Sequence, residues 1–306
     1  MCGGAFAQAF PSRPVHVVVP FAPGGSADVL SRLVGQSLAQ RWGQPVIVET
    51  RPGAGTIIGT AYTAKAPPDG HTIMFISGSY VINAKLRIDL PYNGLKALDP
   101  IANIVNSPQV LAVSADSPYR NFGDWLADAC ARPGALSIGT LGPATTQHIG
   151  AEMLMRATGT KLIYTPFNGG APAVNAALGG HVGSVLANLS EMSALMEGGR
   201  LRPLAVTTPE RLDGWKSLPT VAELGFPGYE VVAWFGYAAP AGTPPEVIVK
   251  IAEALRLTLA EPEIRQRIVS LGLLPAYMGP KEFAAHIADQ YARYSRVIDE
   301  ARIKPE

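Results

Sequence analysis

The chain has few cysteines and few charges, and each shortage excludes a class of protein. Cys2 and Cys130 are the only cysteines among 306 residues, so there is neither a disulfide framework nor a paired cysteine metal motif. We interpret Cys130, which stands alone in a helical stretch, as a small buried hydrophobe. Charged residues make up 16% of the chain and the formal net charge is +1, which argues against a nucleic-acid partner.

Long apolar runs and catalytic signatures are also missing. No stretch approaches the ~20 apolar residues that a membrane-spanning helix needs. The sequence has no G-x-S-x-G nucleophile elbow, no H-E-x-x-H and no C-x-x-C, and its five histidines lack metal-ligand spacing. Glycines at 53, 55 and 59 are spaced one residue too widely for a dinucleotide fingerprint. We therefore predict a protein that is not an enzyme and holds no metal and no cofactor.

What the chain does have is a glycine-rich turn between an apolar strand and a helix. The strand-like segment 15–19 leads into the turn 21–26, and a helical pattern follows. Free backbone N–H groups and the helix dipole at such a helix start attract an anion without Lys or Arg. We predict that Ser26 caps this helix and that Asp28 stabilises its first turn rather than contacting a ligand.

Similar turns recur along the chain. Glycine-rich or polar turns follow strand-like segments at 51–56, 140–146 and 166–172, and a further candidate loop at 77–80 ends another strand. Repeated strand–turn–helix units are typical of open α/β sheets, which bind ligands at the carboxyl ends of their strands. His148 lies in the first turn of one helix. We interpret it as a residue that holds the loop in shape, with direct ligand contact as the alternative.

The length of 306 residues favours two domains. One connection between them is indicated at 106–108, where Asn-Ser-Pro breaks an apolar stretch, and a second at 228–229. We predict one domain formed by 14–106 together with 230–306, a second formed by 107–229, and a ligand cleft between them.

The first residues resemble the end of a secretory leader. Ala5-Phe6-Ala7 has the small-residue pattern that precedes a signal-peptidase cut. The charged and apolar segments of a leader are missing before this pattern. We interpret residues 1–13 as a leader remnant and N-terminal tail, with a chance alanine-rich tail as the alternative, and we expect the full-length gene to encode a leader that is cut before Gln8. The expected location is the periplasm.

A series of short motifs occurs in order from about residue 11 to the end of the chain. They are PFAPGGSAD at 20–28, RPGAG at 51–55, PDGHT at 68–72, TTQH at 145–148, GGAPA at 169–173, LAVT at 204–207, PTVAE at 219–223 and APAGTP at 239–244. Together they resemble the Bug family, the substrate-binding proteins of tripartite tricarboxylate transporters. Each motif alone is weak, but the ordered set is highly specific.

The resemblance implies an α/β protein of the periplasmic binding type, with two domains that close on a ligand as a type II-like clamp. Each domain is a β-sheet flanked by helices. The resemblance also implies an organic acid whose carboxylate meets the first strand–helix loop and two loops of the other domain. The candidate ligand-binding residues are Phe21, Ala22, Gly24, Gly25, Ser26, Ser77, Ser79, Asn83, Thr140, Thr145, Asn168, Gly169, Gly170, Ala171 and Asn188. Asp28 and His148 are expected to shape the loops.

Two loops depart from the family pattern and leave the ligand open. Members often have Ser-x-Gly-x-Gly-Thr where this chain has residues 140–145, with Pro143 and Ala144 stiffening the loop. Members often have Lys where this chain has Asn168, so a cation is missing near the cleft. Citrate, C4 dicarboxylates, aromatic acids such as terephthalate, and amino acids all remain candidates.

Three functions fit these features. The leading hypothesis is a monomeric extracytoplasmic receptor that hands a carboxylate to the membrane permease subunits of a tripartite tricarboxylate transporter. A ligand-sensing partner of a two-component sensor kinase needs the same clamp, so the sequence does not separate it from the first. An enzyme using the same cleft would need a nucleophile or a cofactor site, which the sequence does not offer.

Overall fold

The structure is a computed structural model that describes residues 10–167 and 169–305. Two sequence-based expectations concern residues outside these ranges. The leader pattern falls within residues 1–9, and the candidate ligand residue Asn168 separates the two described segments.

The described residues form a mixed α/β structure. The strands are β1 (Val15–Val19), β2 (Val46–Thr50), β3 (Thr72–Ser77), β4 (Leu98–Ser114), β5 (Ser137–Thr140), β6 (Ile163–Pro166), β7 (Ser184–Asn188), β8 (Leu201–Val206), β9 (Val232–Pro240) and β10 (Leu274–Met278). The α-helices are α1 (Ser26–Trp42), α2 (Ile57–Ala64), α3 (Gly78–Leu86), α4 (Phe122–Ala131), α5 (Thr146–Thr158), α6 (Gly170–Leu178), α7 (Leu189–Glu197), α8 (Pro245–Ala260), α9 (Pro262–Ser270) and α10 (Pro280–Ala301).

The long strand β4 belongs to two sheets and connects them. The hydrogen-bonded order is β2-β1-β3-β9-β4-β7-β5-β6, with β10 and β8 also paired to β4. Residues 98–108 of β4 pair with β9, whereas residues 109–114 pair with β7 and β8. The first sheet therefore contains β1, β2, β3, β9, β10 and the first part of β4, and the second contains β5 to β8 and the rest of β4.

β4 runs without interruption through the segment that the sequence suggested was a break. Pro108 pairs with Val232 at the end of the β9 ladder, and Gln109 begins the pairing with β7. Proline lacks a backbone N–H, so it is tolerated where a strand changes partner.

Parallel pairing brings helix starts together at the edge of each sheet. β1 pairs in parallel with β2 and β3, and β5 pairs in parallel with β6 and β7. The carboxyl ends of parallel strands lie at one edge. Helices α1 and α3 thus begin at one edge of the first sheet, and α5, α6 and α7 begin at one edge of the second.

Helix α1 illustrates how the sequence forms these units. Leu30, Val34 and Leu38 recur every four residues and are fully buried against the first sheet. The helix ends at Trp42 because Gly43 adopts a left-handed φ of 63° and donates its N–H to the carbonyl of Ala39 at 3.0 Å.

The buried hydrophobic clusters follow the division between the sheets. One cluster takes its residues from 15–105 and 235–273, and another takes its residues from 111–231. Ile149 of α5 is an exception, because it joins a cluster that includes Trp234 and Phe283. The N-terminal half of α5 therefore packs against the first sheet as well as the second.

Cys130 lies on the exposed face of helix α4. The interpretation of Cys130 as buried is therefore wrong. Helix α4 buries Phe122, Trp125 and Ala129, and Cys130 lies about 100° further round the helix from Ala129.

Within the described ranges, none of the helices has the length and apolar content required to cross a bilayer.

Candidate functional site

The first loop, residues 21–26, follows β1 and is stabilised by Asp28 rather than by Ser26. The N-cap of α1 is Gly25, without a side-chain cap, so the prediction that Ser26 caps the helix is wrong. The carboxylate of Asp28 reaches back to accept the N–H of Gly24 at 2.9 Å and pairs with Arg32 at 2.9 Å. Burial alone would raise the pKa of Asp28, but these two contacts together lower it.

The first turn of α1 still offers free backbone donors. The first hydrogen bond within the helix runs from the N–H of Val29 to the carbonyl of Gly25 at 3.0 Å. The N–H groups of residues 26–28 precede it and have no acceptor within the helix. Ala22, Gly24 and Gly25 are exposed, while Ser26 and Phe21 are partly buried. The ring of Phe21 packs edge-on against Phe75, at 6.2 Å between centroids.

The start of α3 contributes buried serines and a buried amide. The hydroxyl of Ser77 accepts the N–H of Ser79 at 3.3 Å and so caps the helix. Asn83 is fully buried, and its Nδ2 donates to the carbonyl of Gly55 at 2.6 Å. This bond ties the short 3₁₀ turn at 54–56 to α3.

The start of α5 is fixed by Thr145 and His148. The hydroxyl of Thr145 donates to the carbonyl of Gly142 at 2.7 Å and accepts the N–H of His148 at 3.3 Å. The imidazole of His148 lies 3.3 Å from the hydroxyl of the fully buried Thr140 and stacks on Tyr164 at 4.3 Å between ring centroids. Burial lowers the pKa of His148 to about 4, so the ring is neutral at neutral pH.

The starts of α6 and α7 meet through a carboxylate. The N–H of Asn188 donates to Glu191 Oε2 at 3.0 Å, which forms a capping box at the start of α7. A Cβ on Gly170, the first residue of α6, would overlap with the carboxylate of Glu191. Burial raises the pKa of Glu191 to about 7, against the smaller opposing effect of its hydrogen bonds with Asn188. Gly169 is partly buried and Ala171 is exposed.

A buried polar chain links these helix starts behind the loops. Gln109 Nε2 donates to the hydroxyl of Thr146 at 3.1 Å, and that hydroxyl donates to Gln147 Oε1 at 3.2 Å. Gln147 Nε2 then donates to Asn188 Oδ1 at 2.8 Å. Sequence reasoning did not single out Gln109, Gln147 or Glu191. The Asn-x-x-Glu spacing of 188–191 after an apolar strand is a capping-box signal that would have found Glu191.

Loops from the two sheets touch each other at two points. A Cβ on Gly78 would lie 2.5 Å from Thr146 Cγ2, and a Cβ on Gly55 would lie 3.5 Å from the Cβ of Ala144. The structure thus brings the candidate residues of α3 next to those of α5. Among the described residues, no hydrogen bond or ion pair joins loop 21–26 to the loops of the second sheet.

A separate cavity lies where β4 and β9 run between the sheets. The cavity has a volume of about 450 Å³, and its lining includes Asn106, Trp234, His286 and Arg293. None of the candidate ligand residues lines this cavity. In the described part of the chain, no three His, Cys, Asp or Glu side chains cluster in a way that could hold a metal ion.

Comparisons with known proteins show the family to which this chain belongs. A family model described as "Tripartite tricarboxylate transporter family receptor" matches residues 30–303. Protein BugT of Bordetella pertussis is 32% identical over 300 residues, which is 97% of this chain and 92% of BugT.

Solved structures of similar proteins extend the comparison. Periplasmic binding protein BugD is 30% identical, with a TM-score of 0.86 over 97% of this chain and 100% of BugD. Rpa4515 of R. palustris, solved with adipate, is 32% identical with a TM-score of 0.89, over 97% of this chain and 100% of Rpa4515. MatC of Rhodopseudomonas palustris, solved with bound malate, is 28% identical with a TM-score of 0.83, over 94% of this chain and 100% of MatC.

These likenesses confirm the α/β fold of a two-domain periplasmic binding protein that the sequence predicted. Proteins of this family and fold are solute-binding proteins rather than enzymes. The chain belongs to the receptor family of the tripartite tricarboxylate transporters.

Proposed function

We propose that this protein is a periplasmic receptor that captures a small organic acid in a cleft between two α/β domains and delivers it to a membrane permease. The proposed domains are 14–106 with 230–306, and 107–229. The segregation of the hydrophobic clusters and the change of strand partners along β4 support this division.

The facing helix starts are the observation that carries the proposal. Helices α1 and α3 of the first sheet, and α5 and α6 of the second, begin at edges that touch at Gly78–Thr146 and Gly55–Ala144. Each helix start concentrates free N–H groups and partial positive charge. A carboxylate between the edges would accept several charge-assisted hydrogen bonds at about 1.5–3 kcal/mol each.

The nearby arginine is already engaged, which supports binding by neutral donors. The guanidinium of Arg51 pairs with Glu49 at 3.1 Å and stacks over the ring of Tyr62 at 3.7 Å. We propose that the free backbone N–H groups of 21–26 and 169–171, with the hydroxyls of Thr140, Thr145 and Ser79, supply the donors. The hydroxyl of Thr145 donates to the carbonyl of Gly142 in this structure, so ligand binding would exchange that acceptor for the carboxylate. Asn83, Asn188 and Ser77 would support these loops from behind through the hydrogen bonds that their side chains make with neighbouring residues.

The donors of the site and the ligands of the relatives support a ligand class. Rpa4515 was solved with adipate and MatC with malate, both flexible dicarboxylates. We propose a dicarboxylate of this kind. One carboxylate would lie at the helix starts, and the far end would be held by polar groups such as Asn168 rather than by a cation.

A thermal-shift screen tests the proposal directly. Adipate, malate, citrate, terephthalate and aspartate would each be compared with the corresponding amide, which keeps the shape and removes the charge. An acid at 100 times its Kd stabilises the folded state by about 2.7 kcal/mol, while its amide should have little effect. Equal shifts with acid and amide, or no shift with any acid in folded protein, would contradict the proposal.

Delivery and location need cellular measurements. A host strain without this gene should lose high-affinity uptake of the acid found in the screen and regain it with the wild-type gene. Mass spectrometry of the protein from its native host should find a chain that starts at Gln8. An uncut N-terminus, or unchanged uptake, would contradict export or delivery.

A further inference from the structure

The carboxylate of Glu191 lies against Gly170, the first residue of α6, at a position where the side chain of any residue other than glycine would collide with it. Gly170 therefore makes room for Glu191, and the two together define the shape of the α6 start. The loop that we propose to bind the ligand carboxylate, residues 169–171, rests directly on this second carboxylate.

Among the described residues, no cation compensates the charge of Glu191. The elements packed most closely on α7 are α6, β4, β7 and β8. Helix α6 and strand β7 carry no titratable side chain, and neither does the turn at Gly272 that approaches the start of α7. In β4 the charged residue is Asp99, which accepts the N–H of Gly242. In β8 it is Arg202, which donates to three backbone carbonyls. The other acid of α7, Glu197, is exposed at its far end.

A ligand carboxylate at the same helix start would compete with Glu191. Both anions would lie near the positive end of the α6 dipole, and two carboxylates close together disfavour the doubly ionised state. One of them then holds a proton. A ligand carboxyl with an ordinary pKa near 4 is ionised above pH 6, whereas burial already raises the pKa of Glu191 to about 7, so Glu191 is the group that takes the proton.

We propose that Glu191 is a positioning residue of the α6 carboxylate site and that ligand capture is accompanied by protonation of its side chain. This inference rests on the proposed function, since it takes the ligand carboxylate to lie at residues 169–171. By linkage, the ligand raises the affinity of Glu191 for its proton, and the proton raises the affinity for the ligand by the same factor. If bound ligand raises the pKa of Glu191 by about one unit, the ligand binds about fivefold more weakly at pH 8 than at pH 6.

The first experiment needs no ligand. The backbone amides of Gly170 and Ala171 would be followed by NMR between pH 5 and pH 9 in the wild type, in Glu191→Gln and in Glu197→Gln. We expect both amides to titrate near pH 7 in the wild type and in Glu197→Gln, and to be unresponsive in Glu191→Gln. Amides that titrate identically in all three proteins, or in none, would overturn the proposal whatever the ligand proves to be.

The second experiment measures the linkage with adipate and malate. Calorimetry at pH 6 and pH 8, in two buffers of different ionisation enthalpy, gives both the Kd and the number of protons taken up. We expect proton uptake at pH 8 and about fivefold weaker binding than at pH 6 in the wild type and in Glu197→Gln. In Glu191→Gln the ratio of the two Kd values should fall to about one.

The outcomes separate this inference from the proposed function. Binding of an acid with the same pH ratio in all three proteins would refute the role of Glu191 and leave the receptor function intact. If neither acid binds at either pH, the proposed ligand class is wrong, and the titration of the two amides alone decides the coupling between Glu191 and the loop.

Discussion

Gly78 and Thr146 begin two helices from different sheets, and they face each other without room for a methyl group. A Cβ on Gly78 would lie 2.5 Å from Thr146 Cγ2. Thr146 is held in place because its hydroxyl accepts a hydrogen bond from Gln109 Nε2 at 3.1 Å. The starts of α3 and α5 therefore fit together only because the first is a glycine.

Gly78→Ala should lower the free energy of unfolding by about 1–3 kcal/mol, the usual cost of overpacking. Thr146→Ser removes the opposing methyl and keeps the hydroxyl, so the double variant Gly78→Ala/Thr146→Ser should regain most of the loss. Gly214→Ala is the matched control, since a Cβ there meets nothing within 4 Å. Urea unfolding of the four proteins provides the values. Equal losses in the single and double variants would contradict this contact.

A second double-mutant cycle tests the fit between Gly170 and Glu191. Gly170→Ala must displace the carboxylate and break the capping box of α7, so we expect it to cost about 1–3 kcal/mol. In a Glu191→Ala background the space is empty, and the same glycine change should cost less by at least 0.5 kcal/mol, the lower end of couplings between contacting residues. Strict additivity in denaturant unfolding would argue that the two residues do not touch.

The ends of the chain show what local signals predict well. Helices α8 (Pro245–Ala260) and α10 (Pro280–Ala301) both begin at a proline. Proline at the first helical position and apolar residues every three or four positions are local features, so the sequence alone reveals them. Strand β10 was not predicted, because its five residues become a strand only through pairing with β4, a segment far away in the chain.

The candidate site also combines features with local sequence signals and features set by distant contacts. Its loops were predictable because each combines glycines with the end of an apolar strand. The partners of individual side chains were not predictable. Ser26 was expected to cap α1, but Asp28 takes the loop N–H instead. The capping-box spacing marks Glu191 as a helix-start residue, but its contact with Gly170, 21 positions earlier and on another helix, has no local signal.

His148 provides a prediction for acidic pH. Its pKa is lowered from 6.5 to about 4 by burial, so the folded protein resists protonation that the unfolded chain accepts. The resulting stability is present above pH 6.5 and is lost as the pH falls toward 4, by at most ~1.4 kcal/mol per pH unit. In the wild type, the raised pKa of Glu191 acts in the opposite direction between pH 4.5 and 7 and masks part of this loss.

The difference between the wild type and His148→Gln isolates the contribution of His148. We expect the wild type to lose stability relative to this variant as the pH is lowered from 6.5 to 4.5 in urea unfolding. His181→Gln, a change at an exposed histidine, is the matched control. NMR of the imidazole should find His148 neutral at pH 6. A ring of His148 that titrates near 6.5 would contradict its burial against Tyr164.

The last prediction asks whether neutral donors or an arginine hold the ligand. Thr145 has a hydroxyl at the start of α5, whereas Arg51 is the cation that borders a candidate loop. Thr145→Ala should weaken binding of the acid found in the thermal-shift screen about tenfold or more, which corresponds to ~1.4 kcal/mol. Arg51→Ala should weaken it less, because its guanidinium already pairs with Glu49 and stacks on Tyr62.

The variant Thr145→Ser is the control for this comparison. Thr145 also caps α5, so its loss should lower stability by about 1 kcal/mol as well as affinity. Thr145→Ser keeps the capping hydroxyl and should retain both, which separates the loss of the donor from the loss of the methyl group. Calorimetry gives the affinities and urea unfolding gives the stabilities. A large loss of affinity in Arg51→Ala with no loss in Thr145→Ala would mean that an ion pair holds the ligand. A carboxylate bound by helix starts would not depend on a guanidinium that already contacts Glu49 and Tyr62.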